Sequence, residues 1–261
     1  MVADPFDRAV RLLARARSCV ALTGAGASTE SGIPDFRSPG GVWERFRPVT
    51  YQEFLASEEA RREHWRYKAA TVPEMLRARP NPAHEALATL EREGRLLAVL
   101  TQNIDGLHQK AGSRRVVELH GTNRETECVR CRRRDPIEDA LRRWERENEV
   151  PTCLSCGGWL KPATISFGQA LRPEVLDEAV RLAREADCFL AVGSSLLVQP
   201  AASLPLLAKE AGASLVIVNL TETPVDPVAD VVLRGRVGEI VPRLVARALA
   251  EARVSEEREP E

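Results

Sequence analysis

Cys128 and Cys131 form one Cys-x-x-Cys turn and Cys153 and Cys156 a second, with 21 residues between them. A turn of this spacing offers two thiolates to one ion, and two such turns complete a tetrahedral site. Four thiolates leave no open coordination position, so the expected metal is a structural zinc. Reaction chemistry must then come from other residues. In TGAGAS (23–28), Gly24 and Gly26 follow an apolar run, a turn that lets backbone N–H groups approach a phosphate. The G-x-G-x-x-G dinucleotide fingerprint is broken, because Thr29 stands where its third glycine belongs. In TQNIDGLH (101–108), Gln102, Asn103 and Asp105 are amides and a carboxylate with no place in a core strand. His120, in HGT, has the residue type of a general base at neutral pH.

These groups need a scaffold that brings them together. Short Val/Leu/Ile-rich runs bounded by turn residues predict buried parallel strands at 19–23, 96–101, 116–120, 188–193, 214–219 and 230–235. Helical patterns lie between them, at about 4–17, 81–93, 173–186, 200–211 and 238–252, with Asp4-Pro5 and Asn81-Pro82 as start signals. The alternation predicts an α/β, Rossmann-like parallel sheet with helices on both faces. The polar clusters then fall at the carboxyl ends of strands, where such sheets bind ligands. Two regions interrupt the alternation. Residues 44–80 are polar and helix-like, and residues 124–160 carry the four cysteines; together they predict a smaller lobe. The large domain then comprises 1–43, 81–123 and 161–252, with a frayed tail at 253–261.

Composition is that of a soluble globular protein, 44% hydrophobic and 29% charged, and a net charge of −1 gives no pull toward nucleic acid or anionic lipid. The run of arginines around Cys131 lies in an insert also rich in acids, among them Glu138, Asp139, Glu145, Glu147 and Glu149, the pattern of a solvated mixed-charge face. No secretory leader pattern or membrane-length apolar run is visible, so a cytoplasmic setting is expected, with Cys19 and Cys188 as core residues. Gly32, Pro34, Pro39, Gly40 and Gly41 make the segment after the glycine turn a hinged loop, with Phe36 and Arg37 on a lid.

Taken together, GAGAS and SGIPDFR (24–28, 31–37), TQNIDGLH, HG (120–121), the two Cys-x-x-Cys turns, FG (167–168), GSSLLVQP (193–200) and VNL (218–220) resemble the sirtuin (Sir2) family. The motifs stand in the family's order over about 10–245. The resemblance implies an NAD-dependent protein lysine deacylase, converting acyl-lysine and NAD to lysine, nicotinamide and O-acyl-ADP-ribose. It implies that Gly24, Ala25, Gly26, Ser28, Asp35, Phe36 and Arg37 form the cofactor loop. Gln102, Asn103, Ile104 and Asp105 would meet the nicotinamide and its ribose. Gly193, Ser194 and Ser195 would hold phosphate and ribose, Asn219 the adenosine ribose, and Val237 the adenine. His120, Asn103 and Asp105 would be the catalytic residues.

Acyl-lysine substrate would thread between the lobes along KPATISFGQ (161–169), pairing with its backbone, with Ile165, Phe167 and Gly168 at the tunnel. Gln169 replaces the family's usual acid after FG. In HWRYK (64–68), Trp65 and Lys68 stand where succinyl-removing relatives carry tyrosine and arginine. Lysine lacks the bidentate fork, so an uncharged acyl group is expected. Two other readings stay open: a protein mono-ADP-ribosyltransferase, and a non-catalytic module that binds NAD or ADP-ribose. A nicotinamide-linked dehydrogenase fits less well, for want of the third glycine.

Overall fold

The computed structural model describes residues 4–35 and 47–256. Its larger layer is a six-stranded parallel sheet: β1 (Cys19–Thr23), β2 (Leu96–Thr101), β3 (Val116–Glu118), β7 (Cys188–Val192), β8 (Ser214–Asn219) and β9 (Val231–Arg234). Their order across the sheet is β3-β2-β1-β7-β8-β9, the doubly wound arrangement whose switch point lies between β1 and β7. Strand alternation divides the core. Cys19 and Ala21 of β1 face one apolar cluster, with α1 (Pro5–Arg15), α4 (Pro82–Arg92) and α9 (Val237–Glu256). Val20 and Leu22 face the other, with α7 (Pro173–Glu185) and α8 (Leu204–Glu210). Both faces are therefore covered, which is why these strands read as unbroken apolar runs.

A second layer of structure is built from two excursions of the chain. The first carries α2 (Tyr51–Ala56) and α3 (Glu58–Arg77). Thr50 caps α2 in a reciprocal box with Glu53, and Ser57 accepts from Ala60 N at the start of α3. The second carries an antiparallel sheet ordered β5-β4-β6, made of β4 (Gly121–Cys128), β5 (Arg134–Pro136) and β6 (Leu160–Thr164). Helix α6 (Ile137–Glu147) packs on it through Ile137, Leu141 and Trp144. Trp65 of α3 is fully buried in this cluster, and its indole N–H donates to Leu160 O at 3.1 Å. One short helix, α5 (Leu107–Lys110), follows β2.

Several expectations shift. The insert contains strands, β5 and most of β4, whose polar sequences give no apolar run to mark them. The substrate segment is strand only to Thr164; residues 165–169 form an irregular wall. The last helix runs to Glu256, past the tail boundary expected at 253, because Ala252 is buried and Arg253 and Glu256 pair with Glu93 and Arg95. Phe36 and Arg37 lie outside the described residues.

Candidate functional site

Loops from five strand ends meet one cleft of about 910 Å³ between the large sheet and the smaller lobe. Gly24 follows β1, Gln102 follows β2, His120 stands two residues past β3, Gly193 follows β7, and Asn219 ends β8. The cleft is also lined by Ala25, Gly26, Asp35, Asn103, Ile104, Ser194, Ser195 and Val237, and by Ile165, Phe167 and Gly168 of the wall. Ser28 and Asp105 do not line it.

The glycines have a specific reason. A Cβ on Gly24 would meet Gly193 O at 2.8 Å, one on Gly26 would meet the same oxygen at 2.9 Å, and one on Gly193 would meet Ala27 N at 2.4 Å. Gly26 N donates to Gly193 O at 2.9 Å, so the β1 and β7 loops touch backbone to backbone. Gly193 is also left-handed, at φ 59°. Two short 3₁₀ turns, Ala25–Ala27 and Thr29–Ser31, follow Gly24 in place of a long helix. The glycine turn thus secures a close loop contact at the switch point.

Behind the cleft lies a buried polar frame. Asn103 Nδ2 donates to Gly24 O at 2.9 Å and to Ser28 Oγ at 3.0 Å. Ser28 Oγ donates to Asp105 Oδ2 at 2.7 Å, and Leu107 N donates to Asp105 Oδ1 at 2.9 Å. Asp105 therefore acts from one layer behind, holding Ser28 and through it the Asn103 amide. The sequence reading places Asp105 against the ligand; in this structure its two carboxylate oxygens are taken up by Ser28 Oγ and Leu107 N.

The frame extends to residues the sequence reading missed. Asn81 caps α4 and also donates from Nδ2 to Ala27 O at 2.8 Å, tying the helix to the glycine loop. His84 and His108 lie against each other, ring centroids 4.7 Å apart and planes tilted by 56°, and the His108 Nε2 lies 2.9 Å from Thr23 Oγ1. Burial pushes both imidazoles below their ordinary range, so they are neutral. The Asn-Pro helix start was visible in sequence, but its second bond was not.

His120 Nδ1 lies 3.1 Å from Gln102 O. A carbonyl can only accept, so Nδ1 carries the proton and Nε2 keeps its lone pair. Burial pushes the His120 pKa down, and the Gln102 carbonyl partly opposes it. A neutral imidazole with a free lone pair on a cleft wall is a base ready at neutral pH. From the smaller lobe, His64, Tyr67 and Lys68 also line the cleft, while Trp65 turns into the core. Lys68 is buried, donates to Asn123 Oδ1 at 2.9 Å, and is driven down to about 7 by burial, with Lys161 adding to the effect.

The four insert cysteines converge, with their sulfur atoms all within 4.8 Å of one another. The Cys128–Cys156 and Cys131–Cys153 separations are 3.5 and 3.7 Å, close to the ~3.8 Å edge of a tetrahedron with ~2.3 Å zinc–sulfur bonds. Arg130 N and Cys131 N point at Cys128 Sγ, and the backbone N–H of Ser155 leads in drawing Cys153 down to about 6. These donors favour thiolates. The donor set fits zinc with no vertex left open, as a structural site requires.

A model of the Sir2 family matches residues 24–200. The chain is 47% identical over 231 residues to an NAD-dependent protein deacetylase of Rhodopseudomonas palustris, covering 87% of this chain and 91% of that one. It is 46% identical over 248 residues to an NAD-dependent protein deacylase of Thermococcus kodakarensis, covering 93% and 95%. The chain belongs to the Sir2 family. Among solved Sir2 structures, one with deacetylated p53 peptide and 3′-O-acetyl ADP ribose superposes with a TM-score of 0.85 at 40% identity, covering 94% of this chain and 98% of that one. The individual cofactor, catalytic and substrate residues expected from the sequence line this cleft, apart from Ser28 and Asp105 behind it and the two residues outside the described region.

Proposed function

We propose that this chain is an NAD-dependent protein lysine deacylase of the cytoplasm, releasing lysine, nicotinamide and O-acyl-ADP-ribose. The observation that carries the reading is His120, with Nδ1 fixed on Gln102 O and Nε2 free, in one cleft with Asn103 and the Gly193–Ser195 turn. The cleft suits an extended dinucleotide: its lining runs from Asn219 and Val237 past the glycine contact to Asn103 and His120. NAD, when bound, would supply the anomeric carbon at which nicotinamide is exchanged for the acyl oxygen.

The protein's own part follows from its groups. Asn103, held by Gly24 O and Ser28, presents a fixed amide dipole that needs no reorganisation as charge changes on a ligand. His120 Nε2 takes a proton from a ribose hydroxyl and later returns it. Gln102 donates from Nε2 to Ser194 Oγ at 2.8 Å, joining the loops that flank the ribose region. The wall at 165–167 offers backbone groups to an extended peptide, with Ile165 and Phe167 against the acyl-lysine stem. The cysteine knuckle would hold zinc and take no part in the reaction. An uncharged acyl group is the expected substrate, supported by the single lysine in place of a guanidinium fork.

Incubation with an acetyl-lysine peptide and NAD, followed by mass spectrometry, tests the reading. Loss of acetyl with appearance of O-acetyl-ADP-ribose is expected. An intact peptide with ADP-ribose on protein would make the chain a transferase, and no nicotinamide release at all would make it a binding module.

A further inference from the structure

Glu127, the penultimate residue of β4, is a buried carboxylate with more cationic partners than one charge requires. Arg132 Nη1 donates to it at 2.9 Å, Arg134 Nε at 3.2 Å, and Arg172 Nη2 also bonds it. Arg134 and Lys161 are its cross-strand neighbours on β5 and β6. The Lys161 ammonium in turn donates to Pro162 O at 3.1 Å and to Thr164 O. These partners come from four places: the cysteine knuckle, the small sheet's edge, the strand feeding the cleft wall, and the start of α7 in the large domain.

Two features set this cluster apart from an ordinary surface network. First, Lys161 and Arg172 bracket the cleft wall. The segment from 162 to 171 leaves the small sheet at Lys161, the cross-strand neighbour of Glu127, and ends at Arg172, whose guanidinium bonds the Glu127 carboxylate. Between them the wall is held from both lobes: Ile165 N bonds His120 O at 2.8 Å, Phe167 O accepts from Tyr51 N at 2.9 Å, and Gly168 O accepts from Gln52 Nε2 at 3.0 Å. Second, Arg132 sits between Cys131 and Arg133 in the left-handed region, at φ 64°. A side chain there is strained relative to glycine. The knuckle uses glycine in that region at Gly157, at φ 70°. At 132 it keeps a guanidinium that reaches Glu127.

We propose that Glu127 is a positioning residue that clasps the two ends of the cleft wall and couples them, through Arg132, to the cysteine knuckle, so that acyl-peptide affinity depends on this cluster while the nucleotide end of the cleft does not. The proposal rests on the deacylase reading, since it takes the wall at 165–169 as the peptide's partner. It separates the two ends of one cleft: the Gly193 contact and Asn219 belong to the large sheet alone, whereas the wall is strung between lobes.

The test measures three quantities on the zinc-loaded protein: the Kd of an acetyl-lysine peptide by fluorescence anisotropy, the Kd of ADP-ribose by calorimetry, and zinc content. In Glu127→Gln the peptide Kd should rise about tenfold, while ADP-ribose affinity stays within about twofold and zinc is retained. Arg132→Gly guards against misfolding, because glycine suits the backbone there; it should raise the peptide Kd about threefold with no fall in melting temperature. Glu127→Asp should recover part of the lost peptide affinity. Unchanged peptide binding in Glu127→Gln and Arg132→Gly would overturn the proposal. So would equal losses of peptide and ADP-ribose affinity, which mark general loosening. If the unsubstituted protein binds ADP-ribose but no acyl-lysine peptide, the deacylase reading fails, and the proposal falls with it for a distinguishable reason.

Discussion

The cysteine knuckle and the Asn103–His120 cleft are both polar constellations, yet they are built in opposite ways. The knuckle's ligands come from two tight turns, each supplying a pair three residues apart, and short-range geometry does most of the work. The cleft's groups come from five strand ends spread over about 24–220, and their meeting depends on the whole sheet. A site made of local turns needs a metal to close it; a site made of distant loops needs a rigid frame behind it. Asp105, Ser28 and Asn81 are that frame.

Breaking one region should therefore leave a different residue of function than breaking the other. The largest effect belongs to Cys128→Ser, which removes a ligand whose metal contributes folding free energy outright. Zinc content should fall and the melting temperature drop by about 10 °C or more. Retained zinc with an unchanged melting curve would remove the metal from the account. His120→Ala comes next. Turnover should fall by roughly 10³-fold, with zinc content and ADP-ribose affinity unchanged. In the unsubstituted enzyme the base works as neutral imidazole and burial lowers its pKa. Activity should thus persist down to about pH 6.5 and be lost only as pH falls below the ordinary imidazole range. An acid limb already complete at pH 7 would contradict that environment.

Asp105→Asn sharpens the contrast within the cleft. An amide in place of the carboxylate weakens the hold on Ser28 and lets Asn103 turn, so kcat should fall about 10- to 100-fold while peptide KM changes little. A KM effect of the same size would put Asp105 against substrate instead. The smallest effect is on stability. Lys68 is buried with a pKa near 7, far below an unfolded lysine near 10.4, so the unfolded chain binds the extra proton between those values. Stability should rise with pH across that window on account of this residue. Lys68→Met should then stabilise the protein at pH 7 by about 1–3 kcal/mol, with the gain shrinking toward pH 10. Melting curves at the two pH values check both sign and trend.

The same contrast governs what could be read before folding. The Cys-x-x-Cys turns, the apolar strands and the Asn-Pro cap are local patterns, and each stands in the structure where its spacing put it. The cleft was legible only in outline. Motif resemblance named most of its lining, yet no local pattern distinguishes Asn103, which reaches the cleft, from Asp105, which turns away two residues later. Trp65 and Lys68 were expected side by side at the acyl site; helix rotation sends one into the core and the other to the cleft. The insert's β4 and β5 give no strand signal because GTNRETEC and RDP are polar and carry no apolar run, whereas β6 is foreseen as the start of the substrate segment. Glu127 had no signal at all, since its partners are separated by as many as 45 residues in sequence.

The sheet order carries one further consequence, for the chain as it leaves the ribosome. Strand β1 is made first, but its neighbour β7 begins at Cys188 and lies on the far side of both excursions. Until that strand emerges, the glycine turn after β1 has no Gly193 backbone to rest on, and one edge of β1 stays open. The cysteine turns and the small sheet are all synthesised in that interval. The smaller lobe, and any metal it takes up, is thus assembled against a half-finished sheet, and nascent chains halted before Cys188 would carry the knuckle but no nucleotide cleft.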